Sequence, residues 1–592
     1  MFEYLIYKSK AGTNSRISIK RPVIENSNHV KSYRQIGPFH LEILTMKPDH
    51  EFQYEDERVS LFVMGSIYTK PDNTNKTRKQ LFPVDIVNLS ESELTGLRGH
   101  FHIVRIDKIK GIITVFNDLF GLKPLYYGES GTHIFIGNSL SVLKAFSPEI
   151  DKAGLIEKLI FEHNLLDNTI YQDIFTLNEA TILNWNGSFE TKPYFSWFEY
   201  LRDTQGKCAF SIQKYITAFD SIVYSSASKT EKNLVTLTGG HDGRVVLSSF
   251  LKQGLPVETF SFGRPGSENT VIPEKAAEEI GFKHHSVYLL KEFEKNYLNN
   301  ARLTTWLSDG ELVFSQQTTL YALQHLPASF NKVYTGLLAG ELAGPVHLIK
   351  DYINPVYYTY IYKEEPFSLD RELLKLKDIL EIKDTSGIEQ VIKKRIEQRK
   401  RLIHSISKSP NKHLFSLGDM ITWGFRKFYG YQMHLARYHL ENFPVFCDFD
   451  LMEMLINSNY NLIYRNSYKS LFRRRHSRKL QLAIITLNSG ELSDLSLDRG
   501  YTPNEAVNSL YTIHKLLKYF RRKRKIKKGN YTPDFMGEKW TNLIRHSEIL
   551  HSGNLNGFFN YDMINQKYND QNCNLIWKDI CIISNLLFLD NK

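Results

Sequence analysis

One short stretch constrains the fold more than any other: an apolar run, a glycine-rich loop and an amphipathic segment follow one another directly. Residues 234–237 form the apolar run, which is typical of a buried strand. Residues 238–240 (Thr-Gly-Gly) interrupt it. Residues 244–252 then carry apolar side chains at helical spacing, and Gly254 suits a helix end. The stretch therefore predicts a strand, a loop and a helix in that order.

The composition of this loop indicates a binding site for an anion. Gly239 and Gly240 allow the main chain to approach a ligand closely and to adopt positive φ at little cost. The loop N–H groups and the positive end of the helix would then face a phosphate. Asp242 would repel a bare phosphate, but it fits one whose charge is shared with Mg²⁺. The alternative is an ordinary strand-to-helix turn without a ligand.

The following residues repeat the alternation of strands and helices. Residues 256–262 and 285–290 are strand-like, and residues 273–280 predict a helix with a proline at its start and Gly281 at its end. A later strand, residues 332–335, leads into a second glycine-rich segment. This alternation predicts a parallel, doubly wound sheet, and such sheets bind ligands at the carboxyl ends of their strands.

Length and composition indicate a soluble protein of several domains. A chain of 592 residues exceeds a single core, and no apolar run approaches a membrane span of roughly 20 residues. The first eight residues are strand-like and do not resemble a signal peptide. Four cysteines without metal-binding spacing favour a reducing compartment, so we expect a cytoplasmic location. Residues 521–528 contribute much of the net charge of +11 and are typical of a solvated surface, which gives no reason to expect nucleic acid as a partner.

These motifs resemble the asparagine synthetase family. Residues 237–243 (Leu-Thr-Gly-Gly-His-Asp-Gly) resemble its pyrophosphate loop, and residues 335–344 resemble its second glycine loop. Residues 117–127 (Asn-Asp-Leu-Phe-Gly-Leu-Lys-Pro-Leu-Tyr-Tyr) resemble a motif of its glutaminase domain, with Asn117 in place of an arginine. Other ATP pyrophosphatases share the first loop, so the glutaminase-like motif is what selects this family.

The resemblance implies an α/β protein of three parts. Residues 1–200 would form an α+β sandwich of the Ntn-hydrolase kind, a class II glutamine amidotransferase-like domain. Residues 201–505 would form the doubly wound, parallel-sheet ATP-pyrophosphatase domain, and residues 506–592 a helical C-terminal extension.

The resemblance also implies a set of site residues. Lys469 would be catalytic and Asp242 would bind Mg²⁺. The segments expected to hold ATP are the first loop, the end of the second strand and the second glycine loop. The residues expected there are Leu237, Thr238, Gly239, Gly240, Asp242, Gly243, Phe262, Gly263, Thr335, Gly336 and Glu341.

Several positions depart from the family pattern. The glutaminase domain normally uses a cysteine at position 2, where this chain has Phe2, and residues 65–68 replace its glutamine-holding loop. We therefore expect no glutamine hydrolysis. In the ATP site, Gly243 replaces a serine, Gly340 an aspartate that binds a second Mg²⁺, and Leu337 a glutamate.

The expected activity is that of an ATP-dependent amide ligase. It would adenylate a carboxylate of a small molecule, peptide or glycan and couple it to ammonia or a substrate amine, releasing AMP and pyrophosphate. ATP and Mg²⁺ are the expected cofactors. A homodimer or a partner protein of a biosynthetic pathway is compatible with the sequence, whereas nucleic acid and membrane are not expected partners. A non-catalytic scaffold and an ammonia-dependent asparagine synthetase stay open as alternatives.

Overall fold

Strands dominate the N-terminal third of the chain, and helices surround a further, parallel sheet in the remainder. The computed structural model describes residues 2–10, 17, 30–45, 52–71, 77–203, 209–312, 316–342, 354–382, 385–404, 417–458, 476–507, 555, 558–569, 582–584 and 586. The N-terminal strands are β1 (Phe2–Ser9), β2 (Val30–Ile36), β3 (Phe39–Thr45), β4 (Gln53–Glu55), β5 (Val59–Thr69), β6 (Gln80–Leu81), β7 (Leu97–Asp107), β8 (Ile112–Asn117), β9 (Tyr126–Glu129), β10 (His133–Gly137), β11 (Ile174–Thr176), β12 (Thr181–Trp185) and β13 (Phe189–Pro193).

These strands form two antiparallel sheets within the described residues. One has the order β11-β9-β10-β1-β3-β2, and the other has the order β13-β12-β8-β7-β5-β4, with β6 also paired to β5. Alternate residues of a strand point to opposite faces, so each sheet can present an apolar face to the other. The two inner faces form one apolar core, to which the first sheet contributes Ile6, Leu41 and Ile43 and the second contributes Val104, Ile106 and Val115. The sandwich expected from the family resemblance is confirmed.

A third sheet is entirely parallel. Its strands are β14 (Asn233–Thr236), β15 (Val257–Gly263), β16 (Lys283–Tyr288), β17 (Lys332–Thr335) and β18 (Glu441–Pro444). The strand order in space is β16-β15-β14-β17-β18. The chain starts at the centre of the sheet, runs to one edge and then returns to the other side, which is the doubly wound arrangement predicted from the sequence.

Helices connect and flank these strands. The helices of the N-terminal part and its connection are α1 (Pro83–Ile86), α2 (Leu140–Leu143), α3 (Lys152–Phe161), α4 (Trp197–Asp203) and α5 (Ile212–Ser226). Those around the parallel sheet are α6 (Asp242–Lys252), α7 (Glu268–Ile280), α8 (Lys291–Lys295), α9 (Tyr297–Leu307), α10 (Gln317–Gln324), α11 (Ala339–Leu342), α12 (Pro355–Ile361), α13 (Leu369–Leu373), α14 (Thr385–His404), α15 (Tyr431–Ala436), α16 (Phe449–Ile456), α17 (His476–Asn488), α18 (Gly490–Asp494), α19 (Pro503–Val507) and α20 (Tyr561–Asn569). Short 3-10 helices span Glu91–Gly96, Lys144–Phe146 and Lys377–Ile379, and a π-helix spans Met420–Gly430.

The predicted start of the helix after β15 is wrong. The sequence places Pro273 at its first turn, whereas the helix begins at Glu268 and contains Pro273. The N–H group of Val271 donates to the carbonyl of Ser267 at 3.0 Å, so a first turn is already closed before the proline. Pro273 is the sixth residue of the helix and has no N–H to donate to the carbonyl four residues earlier, so one hydrogen bond of the helix is not made. The predicted end is confirmed, since Gly281 adopts a left-handed φ of 88°.

No helix of the described residues is long and apolar enough to cross a membrane.

Candidate nucleotide site

The glycine-rich loop lies where β14 gives way to α6, at the carboxyl edge of the parallel sheet. The N–H group of Leu237 donates to the carbonyl of Phe260 at 2.9 Å, which extends the strand contact by one residue. The helix begins at Asp242, two residues before the predicted start. The predicted succession of strand, loop and helix is therefore confirmed for residues 233–252.

The glycines of this loop are needed for close packing rather than for positive φ. Gly239 and Gly240 do not adopt left-handed φ, so that expectation is wrong. A β-carbon on Gly239 would lie 3.0 Å from the Ile272 side chain, and one on Gly243 would lie 2.1 Å from the carbonyl oxygen of Thr236. The replacement of the family's serine by Gly243 thus follows from the direct contact between helix and strand. Within the described residues, a β-carbon on Gly240 would meet only Thr238 Oγ1, at 3.5 Å, so the outer side of Gly240 is open there.

Asp242 presents a carboxylate at the first turn of α6. Its side chain is half exposed, and its Oδ1 accepts a hydrogen bond of 3.0 Å from Gln481 Nε2. His241 Nε2 lies 3.6 Å from the same oxygen. The described residues contain no group of three or more His, Cys, Asp or Glu side chains that could hold a metal. One accessible carboxylate still fits Mg²⁺, which is often held by one or two carboxylates together with substrate phosphates and water.

The second glycine loop touches the first. A β-carbon on Gly336 would lie 2.3 Å from the carbonyl carbon and oxygen of Asp242. Leu338 is buried and adopts a left-handed φ of 68°, which is strained for a leucine. Glu341 lies in α11, but its side chain is outside the described part of the structure. The loops at the ends of β14 and β17 therefore form one continuous surface.

The remaining predicted nucleotide residues end the neighbouring strands at the same edge. Phe262 is half-buried and Gly263 closes β15, where its carbonyl accepts from the N–H group of Leu289 at 2.9 Å. Thr335 closes β17, and its hydroxyl donates to Asn442 Oδ1 at 3.0 Å. Since β15, β14 and β17 are adjacent, the three strand ends lie side by side. Lys469 lies outside the described residues, so its predicted role stays a prediction.

Residues far along the chain complete this site, and the sequence analysis missed them. Arg244 is buried in α6 and donates to the carbonyls of Leu495 and Ser496, at 2.8 and 3.1 Å. The N–H group of Asp498 donates to the carbonyl of Gly239 at 2.6 Å. Burial lowers the pKa of Arg244 to about 10, which leaves it charged at neutral pH. The segment 492–498 thus holds the glycine loop in place, and no local motif signals it.

A second cluster of polar residues joins the sandwich to the amino edge of the parallel sheet. Ser66 Oγ donates to Glu441 Oε2 at 2.8 Å, and Lys332 Nζ lies 3.8 Å from the same carboxylate oxygen. Tyr68 Oη lies 3.3 Å from Lys332 Nζ. Ser66 and Tyr68 belong to the segment in which the family holds glutamine, so that segment is engaged in contacts between the two halves of the chain.

Comparison with known proteins first identifies the class of the N-terminal part. Residues 85–195 match the glutamine amidotransferase domain family. This range covers most of the second antiparallel sheet of the sandwich.

A second comparison finds a weaker similarity over a longer part of the chain. The chain is 22% identical over 307 residues to asparagine synthetase [glutamine-hydrolyzing] 1 of Bacillus subtilis (strain 168). That match covers 49% of this chain and 47% of the relative, so the chain spans about half the length of the curated protein it matches.

Similarity to solved structures is weak. Glutamine phosphoribosylpyrophosphate amidotransferase of B. subtilis, solved with ADP and GMP, is 11% identical, with 38% of this chain and 52% of that chain covered and a TM-score of 0.16. A structure described as the allosteric regulatory enzyme of purine biosynthesis gives 10% identity, the same coverage and a TM-score of 0.17. The strand pairing of this chain defines its fold, and these two similarities add nothing to it.

Proposed function

We propose that the protein is an ATP-dependent carbon–nitrogen ligase without glutaminase activity. It adenylates a carboxylate and couples it to ammonia or a substrate amine, releasing AMP and pyrophosphate. The observation that best supports this proposal is the contact between Gly336 and Asp242 at the carboxyl edge of the parallel sheet. It unites two glycine loops and an accessible carboxylate at the edge where doubly wound sheets bind nucleotides.

Asp242 and the first glycine loop hold the triphosphate in this proposal. Asp242 binds Mg²⁺, and Gln481 fixes the orientation of its carboxylate through the hydrogen bond to Oδ1. Thr238 is exposed and Gly240 is open on its outer side, so both can face phosphate oxygens. Leu237, Phe262 and Thr335-Gly336 border the base and ribose, and Lys469 stabilises the developing negative charge. When bound, ATP supplies the adenylyl group that turns a carboxylate oxygen into a good leaving group.

The segment around Ser66 supports the absence of glutaminase activity. The family has Asn-Gly-Glu-Ile-Tyr-Asn where this chain has Gly65, Ser66, Ile67 and Tyr68. This chain therefore departs from the family in the loop that holds glutamine. Ser66 instead donates to Glu441, which belongs to the parallel sheet. We expect no release of glutamate from glutamine.

The test combines nucleotide binding with isotope exchange. We expect ATP with Mg²⁺ to bind the full chain in isothermal titration calorimetry, and pyrophosphate to exchange into ATP with a suitable carboxylate. Asp242→Ala should weaken ATP binding in Mg²⁺ and abolish exchange, whereas Asp203→Ala, at an exposed position of α4, should change neither. Absence of ATP binding by the wild-type chain would favour a non-catalytic scaffold. Release of glutamate from glutamine would overturn the proposal that the protein lacks glutaminase activity.

A further inference from the structure

A cavity of about 850 Å³ opens at one end of the sandwich, beside the edge strands β11 and β13. Tyr127 and Phe175 line it from β9 and β11 of the first sheet, and Phe189 lines it from β13 of the second. All the described lining residues belong to the sandwich and lie outside residues 65–68. The cavity is therefore separate from the candidate nucleotide site and from the segment that replaces the glutamine-holding loop. Its use does not depend on the proposed ligase activity.

Three aromatic rings line this cavity from both sheets. Tyr127 and Phe175 are paired directly across β9 and β11, and their ring centroids are 5.8 Å apart. The Phe189 ring lies 5.4 Å from the Tyr127 ring. Tyr127 is more than nine-tenths buried, and among the described residues its hydroxyl has no hydrogen-bond partner. Burial and the nearby Asp167 carboxylate raise the pKa of Tyr127, so the hydroxyl keeps its proton and its oxygen is open as an acceptor.

Carboxylate side chains lie at both ends of β11, and all of them line the cavity. Asp167 lies beside the last residue of the strand, because the Asp167 carbonyl accepts from the N–H group of Thr176 at 2.8 Å. Asp173 directly precedes the first residue, and Glu149 lies beside Gln172, whose N–H group donates to the Glu149 carbonyl at 2.8 Å. A strand advances about 3.3 Å per residue, so the two ends of this three-residue strand lie about 10 Å apart.

The charged side chains of the lining leave an excess of carboxylates. Lys10 is the only cation among the described residues that line the cavity, and it is paired with Glu129. The other three carboxylates, Glu149, Asp167 and Asp173, have no ion pair within the described part of the chain. One lysine and four carboxylates give the lining a charge of −3 at neutral pH.

A buried lysine acts on Asp167 from behind this wall. Burial lowers the pKa of Lys427 to about 8, and the Asp167 carboxylate acts in the opposite direction. Lys427 is therefore mostly charged at pH 7 and compensates Asp167. The neighbouring Lys158 and Glu311 pair with each other at 3.0 Å and add no further charge. With Asp167 compensated, the cavity still has a charge of −2, located at the other end of β11.

We propose that this cavity binds a linear aliphatic diamine in its doubly protonated form. One ammonium group binds at the end that holds Glu149 and Asp173, where the excess of charge lies. The methylene chain crosses the three aromatic rings, which an ion without an apolar body would leave in contact with water. The second ammonium group donates hydrogen bonds to the Tyr127 hydroxyl and the Asp167 carboxylate. One metal ion could not contact both ends of β11, because Ca²⁺ and Mg²⁺ bind oxygen atoms at about 2.0–2.6 Å.

Three probes of equal chain length separate the contribution of charge from that of the apolar body. Hexamethylenediamine carries two positive charges, hexylamine carries one and hexanediol carries none. The titration uses the full chain at low ionic strength, because salt screens exposed carboxylates. In isothermal titration calorimetry we expect saturable binding of one hexamethylenediamine. Hexylamine should bind about fivefold more weakly, and hexanediol should not bind measurably.

Substitutions at the two ends of the cavity test where each ammonium group binds. Tyr127→Phe keeps the ring but removes an acceptor, so hexamethylenediamine should bind about threefold more weakly, whereas hexylamine, held at the other end, should bind as before. Asp173→Asn should weaken the binding of both amines about fivefold, and asparagine tolerates the φ of 55° found at Asp173. Glu149→Gln, at an exposed position, should have the same effect and decides the question if Asp173→Asn fails to fold. Glu190→Gln, at an exposed position of β13 outside the cavity, should change neither affinity.

The proposal is overturned if the wild-type chain does not bind hexamethylenediamine, or if it binds hexylamine or hexanediol equally well. Unchanged affinity in the folded Asp173→Asn and Glu149→Gln proteins would overturn it too, as would an equal loss in Glu190→Gln. A folded Tyr127→Phe protein that loses as much affinity for hexylamine as for hexamethylenediamine would contradict the position of the second ammonium group.

Discussion

Gly336 lies directly against the main chain of Asp242, so that a β-carbon on Gly336 would be 2.3 Å from the Asp242 carbonyl. This contact joins the end of β17 to the first turn of α6. It also means that the position of the carboxylate at Asp242 depends on a residue 94 positions later in the chain. The two glycine loops are therefore expected to respond together to substitutions.

Gly336→Ala should damage the nucleotide site more than the fold. The added methyl group must push the loop after β17 away from α6, because the two nearest atoms it meets are the main-chain carbonyl carbon and oxygen of Asp242. We expect ATP affinity in Mg²⁺ to fall at least tenfold and the free energy of unfolding to drop by ~1–3 kcal/mol, as in other overpacked sites. Calorimetric titration with ATP and urea unfolding measure the two effects.

Gly340→Ala is the matched control for this substitution. It lies four residues further along the same loop and helix, and a β-carbon there meets no described atom within 4 Å. ATP affinity should stay within twofold of the wild type. Equal losses in the two variants would show that the contact between Gly336 and Asp242 does not determine the geometry of the site.

Arg244→Met should loosen the segment that holds the first glycine loop. The substitution keeps most of the apolar stem but removes the donors to the carbonyls of Leu495 and Ser496. Buried acceptors left without a donor cost about 1–3 kcal/mol each, so the free energy of unfolding should fall by several kcal/mol. Amide hydrogen exchange should increase in residues 492–498 and at the Gly239 loop. Lys275→Met, at an exposed position of α7, is the control, and equal exchange in both variants would contradict the prediction.

The local part of the candidate site could be predicted from the sequence, because its signals are local. The apolar run before Thr238 and the helical spacing after Gly243 fix the order of strand, loop and helix. The alternation of strands and helices predicted the parallel sheet in the same way, because crossover connections between parallel strands leave few other topologies. The start of α7 was mispredicted because proline more often begins a helix than lies inside one.

The long-range part of the site could not be predicted from one sequence. Gln481 is 239 positions from the Asp242 carboxylate that it contacts, and Asp498 is 259 positions from Gly239. Neither belongs to a glycine loop or to a recognisable motif. The position of Gln481 follows from the packing of α17 on α6, and that of Asp498 from the chain segment after α18.

Arg78→Met should destabilise the contact between the sandwich and α16. Arg78 is buried and donates to Asp448 at 2.5 and 2.8 Å and to Asp450 at 2.6 Å. Its loss leaves the buried Asp448 carboxylate without this partner, which should cost ~3–5 kcal/mol in urea unfolding. Lys79→Met is the neighbouring control, because its ion pair with Asp85 is exposed and worth at most about 1 kcal/mol. Similar losses in both variants would contradict the prediction.

Glu441 should contribute a pH-dependent part of the stability. Burial alone would raise its pKa, but Lys332 and Lys123 outweigh burial and lower the pKa from the usual 4.5 to about 2. Because the pKa is lower in the folded chain than in the unfolded chain, the carboxylate stabilises the fold above pH 4.5. This contribution is lost as the pH falls from 4.5 towards 2. A shift of this size corresponds to about 3 kcal/mol.

Glu441→Gln removes this contribution and therefore changes how stability depends on pH. The difference in the free energy of unfolding between wild type and variant should be largest at pH 7 and should shrink steadily between pH 4.5 and pH 3. Glu190→Gln, at an exposed position of β13, should follow the wild type at every pH. Urea unfolding at pH 7, 5, 4 and 3 measures the three curves. A difference between wild type and Glu441→Gln that stays constant from pH 7 to pH 3 would mean that Glu441 acts through packing, because lost packing does not titrate in this range.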